Sequence, residues 1–183
     1  MEIQVIRSRR KTLCVEIRKG QVFVRVPMKT SEAEIRRFLS EKQQWIETHL
    51  AKVHAQEEAK KDIPLLTEAE IRLLADHAKV LIPDRVAYYA RIIGVTYGRI
   101  TIRCQRSRWG SCSSKGNLNF NCLLMFTPRE VLDSVIVHEL CHRKHMNHSA
   151  AFYAEVLRVF PDYKTQDRWL KKNGSLLMAR LGE

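Results

Sequence analysis

The segment Val137-His138-Glu139-Leu140-Cys141-His142, followed directly by Arg143-Lys144-His145-Met146-Asn147-His148, decides how the whole chain is interpreted. Four of the seven histidines lie between positions 138 and 148. Residues four apart lie on one face of a helix, so His138 and His142 can offer two imidazoles to one metal ion. Glu139 lies beside them and can reach a water held at the metal without being a ligand. This HExxH pattern is typical of zinc hydrolases.

The residues before the motif predict the helix that carries it. Thr127 is the expected N-cap, Pro128 suits the first helical position, and Glu130 completes a capping box. Apolar residues then recur at helical spacing and predict a buried face: Val131, Leu132, Val135, Ile136 and Leu140. We therefore expect a core helix from about Pro128 to about Met146. Cys141 lies on another side of this helix from the two histidines, and we interpret it as a small buried residue.

The third ligand must be chosen between His145 and His148. A straight helix rises about 1.5 Å per residue, so His138 and His145 would stand about 10 Å apart along its axis. Zinc–nitrogen bonds are only about 2 Å long. His148 can close the site if the chain turns back after the helix, and Asn147 tolerates the left-handed conformation that such a turn favours. The interval from His142 to His148 also matches that of metzincin sites. We therefore predict His148 as the third ligand.

Three segments together resemble the YgjP-like family of predicted zinc metallohydrolases, which is related to the SprT and WLM groups of metallopeptidases. They are Ser107-Arg108-Trp109-Gly110-Ser111-Cys112-Ser113, then His138-Glu139-Leu140-Cys141-His142, and then Asn147-His148-Ser149 with Phe152. The resemblance extends to about Leu170 and is most specific between Arg106 and Phe152. It implies a zincin-like fold with Glu139 as catalytic base and with metal ligands at His138, His142 and His148.

Composition limits the class of protein. A chain of 183 residues can bury a sizeable core, and no apolar run is long enough to span a membrane. The five cysteines include no CxxC pair, which favours reduced thiols in a cytoplasmic protein. The start MEIQVIRSRRK has no apolar signal core. A net charge of +12 favours polyanionic partners, so nucleic acid is a candidate partner. The sequence does not indicate an oligomeric state.

The N-terminal third predicts a small lobe of strands and helices. Ile3 and Val5 predict one strand, and alternating apolar residues on either side of Lys19-Gly20 predict a hairpin. Capping boxes that begin at Ser31 and Ser40 predict two successive helices. The polar run 55–62 precedes Pro64 and predicts a domain boundary. We therefore expect a β-rich lobe with two helices over 1–62 and a catalytic lobe over 63–183.

The remaining elements surround the motif. Thr67 predicts a helix start, Pro83 a restart and Gly94 an end. Alternation predicts strands over 97–104 and 118–126, with the segment RSRWGSCSSKG between them. In zincins an edge strand beside the metal can hold an extended substrate. Two later helices are expected, Ala150 to about Val159 after the N-cap Ser149, and Thr165 to Lys172 before Asn173-Gly174. The fold class is α+β, with the HExxH helix against a small antiparallel sheet.

Function follows from the predicted site. We expect a zinc-dependent hydrolase, metallopeptidase-like, in which one divalent ion activates water and Glu139 accepts its proton. An alternative substrate is a nucleoside triphosphate, whose phosphoanhydride the same site would cleave. An alternative of another class is a nucleic-acid-binding protein with a structural zinc, although such sites usually close all four positions with cysteine and histidine. Four residues are candidates for contacts with substrate or transition state: Arg106, Arg108, His145 and Tyr153.

Overall fold

Residues 3–18 and 20–182 are described by the computed structural model, and they divide between two units, Met1–Asp62 and Ile63–Glu183. Each unit has its own hydrophobic core. No helix among these described residues is long and apolar enough to cross a membrane. The predicted α+β class is confirmed, since each unit combines a three-stranded sheet with helices.

The first unit packs a sheet on one long helix. Its strands are β1 (Ile3–Ser8), β2 (Cys14–Arg18) and β3 (Gln21–Pro27), in the order β1-β3-β2. β2 and β3 are the predicted antiparallel hairpin, whereas β1 pairs with β3 in parallel. Lys19 of the predicted turn lies outside the described residues. Alternate β3 residues face the core: Val22, Val24 and Val26.

The helix α1 (Glu32–Lys61) is continuous, and this corrects the prediction of two helices with a break at Ser40. Ser31 and Glu34 form the predicted capping box at its start. The second capping signal, at Ser40, does not start a helix, because apolar residues on both sides of it keep to one helical face against the sheet. These are Ile35, Phe38, Leu39, Ile46 and Leu50.

The second unit opens with α2 (Glu68–Ile93), which Thr67 and Glu70 cap and Gly94 ends in a left-handed conformation. The helix runs through Pro83, so the predicted restart there is wrong. A proline inside a helix removes one backbone hydrogen bond and kinks or breaks the helix unless packing compensates. Ile82 and Val86 are fully buried on either side of Pro83, and their packing holds the helix together.

The sheet of this unit is mixed and includes one strand that the alternation did not predict. Its strands are β4 (Ile100–Arg103), β5 (Gly110–Cys112) and β6 (Leu118–Asn121), in the order β4-β6-β5. β6 pairs with β4 in parallel and with β5 in antiparallel fashion. The prediction of a small antiparallel sheet is therefore wrong for β4 and β6, which pair in parallel. β5 has only three residues, too few to show a period of two.

Both predicted strands of this unit end earlier than expected. β6 gives way to a 3-10 helix, Cys122–Phe126, because the side-chain oxygen of Asn121 accepts a hydrogen bond from the Leu123 N–H at 3.1 Å. The buried Asn121 also donates to the carbonyls of Gln105 and Arg108, at 2.6 and 2.9 Å. These bonds fix the loop that follows β4, so Asn121 is a structural residue.

Three helices complete the unit: α3 (Arg129–Cys141), α4 (Ala150–Val159) and α5 (Tyr163–Ala179). The expected capping box of α3 does not form. Pro128 is its N-cap, and the Thr127 hydroxyl instead donates to the Leu124 carbonyl at 2.8 Å. α4 begins after Ser149 as predicted. α5 runs through Asn173-Gly174, where a helix end was expected, because Gly174 lies against the Trp109 ring.

Candidate metal centre

α3 places His138 and His142 one turn apart in the core of the second unit. The residues from Val131 to Val137 and from Glu139 to Cys141 are all buried, so the helix is surrounded by packed side chains. Cys141 is fully buried, as predicted. The two imidazole rings lie 4.9 Å apart, centroid to centroid. A helix held on all sides presents both rings in one fixed direction.

The chain turns directly after the second histidine. α3 ends at Cys141, earlier than the predicted Met146, and the N–H groups of Arg143, Lys144 and His145 bond back to the last carbonyls of the helix. The turn ends at Ser149, whose hydroxyl accepts from the Phe152 N–H to start α4. His148 lies at the end of this turn. It is thereby directed back to α3.

The three histidines His138, His142 and His148 converge. Their candidate ligand atoms all lie within 4.8 Å of one another, and the Nε2 atoms of His138 and His148 are 3.0 Å apart. The fully buried ring of Phe152 packs against all three, with centroid distances of 4.9, 4.6 and 5.0 Å respectively. One aromatic side chain therefore supports the whole cluster from beneath.

Two of the imidazoles are held by a hydrogen bond at Nδ1. Nδ1 of His142 donates to the His145 carbonyl at 3.0 Å, and Nδ1 of His138 lies 2.8 Å from the Tyr163 hydroxyl. Burial, and after it the neighbouring histidines, lowers the pKa of His138 to about 4. Burial also lowers the pKa of His142. Both rings are therefore neutral near pH 7, which is the form that binds metal.

Glu139 is buried between α3 and β5, with 6% of its surface exposed. Its carboxyl group lies so close to Gly110 that a Cβ atom on that glycine would stand 2.7 Å from both Cγ and Oε1 of Glu139. Burial raises the pKa of Glu139 to about 8, because the charged form loses hydration. The carboxyl group, which lies beside the histidine cluster, therefore holds its proton at pH 7 as long as no cation is bound nearby.

A cavity of about 290 Å³ opens beside His138 and Glu139. Its apolar wall includes Trp109, Val135 and Leu170, and its polar wall includes Arg108, Tyr163 and Asp167. Trp109 is held in place by Gly174, since a Cβ atom on that glycine would lie 3.0 Å from the indole ring. The volume is sufficient for one large side chain of a substrate.

The four residues predicted to contact substrate lie in different surroundings in the structure. Arg108 lines the cavity. Arg106 donates to the Leu181 carbonyl at 3.1 Å. The ring of Tyr153 is exposed and stacks on His148 at 6.2 Å. The His145 side chain is outside the histidine cluster, and its backbone carbonyl holds His142. Both arginines lie in the loop beyond β4, which ends at Arg103.

The three histidines fit a zinc ion. Tetrahedral zinc with nitrogen ligands at about 2.0–2.1 Å needs nitrogen–nitrogen separations of about 3.3 Å. The observed cluster, with one pair at 3.0 Å and all atoms within 4.8 Å, is close to that size. Three histidine imidazoles form a typical catalytic zinc set that leaves the fourth position for water or substrate.

Tyr163 is the residue of this site that the sequence did not reveal. Its contact with His138 joins positions 25 apart, and no local pattern marks it. The same holds for Asp167 in the cavity wall, whereas Trp109 belongs to one of the segments that resemble the family. The predicted end of α4 at about Val159 is confirmed, but no residue near it indicates that the next helix turns its first residue, Tyr163, towards the histidines.

Comparison with known proteins gives one family and several similar solved structures, among them two metallopeptidase zymogens. The sequence profile of the YgjP-like metallopeptidase domain matches residues 11–80 and 59–173. The metallopeptidase zymogen of Pyrococcus abyssi abylysin is 26% identical at a TM-score of 0.46, over 50% of this chain and 94% of that chain. The zymogen of Methanocaldococcus jannaschii jannalysin is 25% identical at a TM-score of 0.44, over 52% and 96%. Comparison with curated proteins gave no match.

Proposed function

The chain belongs to the YgjP-like metallopeptidase family, and from this premise we propose that it hydrolyses peptide bonds at a divalent metal ion held by His138, His142 and His148. The observation that carries the proposal is the convergence of three imidazoles beside a buried carboxyl group, at the mouth of a cavity. The profile match confirms the resemblance to this family that the sequence motifs indicated. The ligand set and the role of Glu139 are our assignments.

The histidines act as neutral nitrogen donors. The His145 carbonyl can only accept a hydrogen bond, so the proton of His142 is on Nδ1 and its Nε2 lone pair is available. A divalent ion such as zinc, when bound, supplies a Lewis acid that acidifies water and polarises a carbonyl oxygen. The low pKa of His138 keeps its ring neutral over the physiological range. His138 and His142 can therefore bind a metal near pH 7 without first losing a proton.

Glu139 is the proposed general base. Its carboxylate takes a proton from the attacking water and then delivers it to the leaving amine. A base works best when its pKa is near the working pH. Burial raises the pKa of Glu139 to about 8, and a divalent ion at the histidines would lower that pKa and favour the carboxylate. Gly110 leaves the carboxyl group room against β5. The packing of α3 on the sheet therefore positions the base.

β5 is the proposed binding edge for an extended peptide. It is an outer strand of its sheet, since among the described residues it pairs only with β6. Gly110, its first residue, touches Glu139. A peptide that paired with β5 would therefore run past the proposed base, with backbone hydrogen bonds giving affinity and the cavity receiving one side chain. This geometry supports peptides as the substrate class.

Two alternatives have less support. Arg108 in the cavity wall and the net charge of +12 favour a nucleoside triphosphate, but Asp167 lines the same cavity and would repel phosphates. A structural zinc in a nucleic-acid-binding protein would leave Glu139 without a role, and cysteines are absent from the cluster among the described residues. Both alternatives serve as outcomes of the test.

The test compares hydrolysis of a casein panel and of a nucleoside-triphosphate panel by metal-loaded protein. We expect casein cleavage that a chelator abolishes. Glu139→Gln should keep its metal and fold while hydrolysis falls by about 10²–10⁴, the contribution of a general base. Glu130→Gln is the matched control, because Glu130 is exposed on the same helix; it should behave as the parent.

Four results would contradict the proposal. Triphosphate cleavage without casein cleavage would identify the nucleotide alternative. Parental casein cleavage by Glu139→Gln would exclude water activation by this residue, and loss of metal from that variant would make Glu139 a ligand. Metal-loaded protein without any chelator-sensitive hydrolysis would favour the structural zinc.

A further inference from the structure

Tyr163 occupies the first turn of α5 and reaches back to α3. Its hydroxyl oxygen lies 2.8 Å from Nδ1 of His138, and its ring stacks on that imidazole with centroids 5.9 Å apart and an interplanar angle of 21°. The side chain thus touches His138 twice, once through the ring and once through the hydroxyl. These two contacts can be separated experimentally.

The hydroxyl contact bears on which nitrogen of His138 carries the proton. A neutral imidazole has one N–H and one lone pair, and its Nε2 can bind metal only when the proton is on Nδ1. For His142 the carbonyl of His145 settles this, because a carbonyl only accepts. Among the described residues, the Tyr163 hydroxyl is the partner at Nδ1 of His138. A phenol hydroxyl can accept from Nδ1–H or donate to an unprotonated Nδ1, and metal binding at Nε2 requires the first arrangement.

We propose that Tyr163 is a positioning residue that holds His138 in the Nδ1–H tautomer, with Nε2 directed at His148 and the metal site. The proposal rests on the metal site of the preceding section. Outer hydrogen-bond partners of this kind fix the ring orientation of ligand histidines, and their removal typically weakens metal affinity by about 10–100-fold. The ring stacking orients the imidazole plane, whereas the hydroxyl selects the nitrogen.

The geometry distinguishes Tyr163 from the other tyrosine at the site. The ring of Tyr153 stacks on His148 at 6.2 Å, yet among the described residues its hydroxyl makes no hydrogen bond to an imidazole. Removal of each hydroxyl in turn therefore leaves ring packing intact in both cases. Only one of the two changes removes a partner at Nδ1, so Tyr153→Phe is the matched control.

The experiment measures metal affinity of the full chain. Zinc affinity is determined by competition with a chromophoric chelator, and the visible spectrum of the cobalt-loaded protein reports ligand geometry. Tyr163→Phe should bind zinc about 10–100-fold more weakly and change the cobalt spectrum. Tyr153→Phe should retain the parental affinity and spectrum. Thermal unfolding of the metal-free variants should match that of the parent, which excludes a general loss of structure.

A second measurement does not depend on metal. Long-range proton–nitrogen correlation spectra of metal-free protein identify the tautomer of each histidine. His138 should show the Nδ1–H form in the parent and in Tyr153→Phe, and a mixture of tautomers in Tyr163→Phe. An unchanged tautomer, or an unchanged zinc affinity in a folded Tyr163→Phe, would overturn the inference. A parent that binds no metal would overturn the proposed function, while the tautomer spectra would still decide on Tyr163.

Discussion

The three histidines of the site differ in how firmly the chain holds them. His138 and His142 are carried by one buried helix and have partners at Nδ1, whereas His148 is exposed and lies in a turn. A ligand on a turn has no rigid element of its own and is held through its neighbours. We therefore expect the third position to be the one most sensitive to the metal being present.

Replacement of the two later histidines tests the ligand set. His148→Ala should weaken zinc binding far more than His145→Ala, because only the His148 imidazole joins the cluster. His145→Ala keeps the backbone carbonyl that holds His142, so it is the natural control. Metal content after dialysis against a weak chelator is the measurement. The opposite ranking would show that His145 is the third ligand and that the turn rearranges on binding.

Single residues of the site can be predicted from the sequence where the spacing between two residues is enough to place them together. The interval between His138 and His142 places them one turn apart on any helix. Helical rise does not separate His145 from His138, because α3 ends at Cys141; His145 lies in the turn, with its side chain outside the cluster. The cluster of His138, His142 and His148 nevertheless has the predicted composition; metal ligation itself stays a prediction. Tyr163 was not predictable, because its contact depends on how α5 packs against α3 and no local pattern encodes that packing.

Among the elements, the turn between α3 and α4 is the one on which His148 depends. Lys144 in this turn pairs with Glu155 of α4 at 2.7 Å, and Glu155 also accepts from Arg158. Hydrogen bonds from Arg158, and next from Lys144, lower the pKa of Glu155 to about 2. The ionised carboxylate therefore fastens the turn to the following helix.

The lowered pKa gives a pH dependence with a defined sign. An acid whose pKa is lower in the folded state stabilises the protein above its unfolded pKa, and this stabilisation is lost as pH falls through the folded value. The stabilising effect of Glu155 should thus be complete near pH 6 and decline between about pH 4.5 and pH 2. The free energy of unfolding of Glu155→Gln should lie below the parental value by on the order of 1–3 kcal/mol at pH 6. Urea titrations at several pH values measure this gap; a gap that stays constant down to pH 3 would contradict the assignment.

A salt bridge joins α2 to α3. Arg85 binds Asp133 through two short hydrogen bonds, of 2.8 and 2.6 Å, and only 17% and 8% of these side chains are exposed. Asp133→Ala leaves the largely buried Arg85 guanidinium without its carboxylate, although the Tyr89 hydroxyl and two tyrosine rings remain beside it, so we expect a loss of about 3 kcal/mol in the free energy of unfolding.

Denaturant unfolding of the parent, of Asp133→Ala and of Asp76→Ala measures this effect. Asp76 pairs with Lys79 on the open surface of α2, and loss of such a pair costs at most about 1 kcal/mol. Equal effects of the two substitutions would show that the pair between α2 and α3 contributes no more than a surface pair.

Element boundaries were predicted well where a side chain bonds to the local backbone and poorly where packing decides. The capping boxes at Ser31 and Thr67 formed as predicted. Helix breaks were predicted at Ser40 and Pro83, but α1 and α2 continue through them because apolar residues on both sides are buried. Asn121 was expected to continue a strand, and its side chain starts a 3-10 helix instead. These outcomes depend on which groups are buried, and a local pattern does not contain that information.

On the scale of the whole molecule, the two units should respond differently to metal removal, because every residue of the candidate metal site belongs to the second unit. A bound ligand raises the free energy of unfolding of the unit that it binds, by about 2.7 kcal/mol when its concentration is 100-fold above Kd. Chelation should therefore lower the unfolding midpoint of the second unit and leave the first unchanged.

The tryptophans allow each unit to be observed separately. Trp45 belongs to the first unit, and Trp109 and Trp169 belong to the second. A variant with Trp45 alone should show the same fluorescence midpoint with and without chelator, and a variant with Trp169 alone should show a lower midpoint once chelator is added. Equal shifts in both variants would show that the units unfold as one cooperative system.

Because residue 110 is a glycine, with no side chain, mutations of its codon should have a characteristic effect. Any single-base change in the first two positions of a glycine codon gives a larger residue or a stop codon. The smallest replacement, alanine, already brings a methyl carbon to within 2.7 Å of the Glu139 carboxyl oxygen. Missense alleles of codon 110 should therefore yield abundant protein with a displaced base. In a library of random alleles scored separately for abundance and for activity, they would form a class of well-expressed loss-of-function variants.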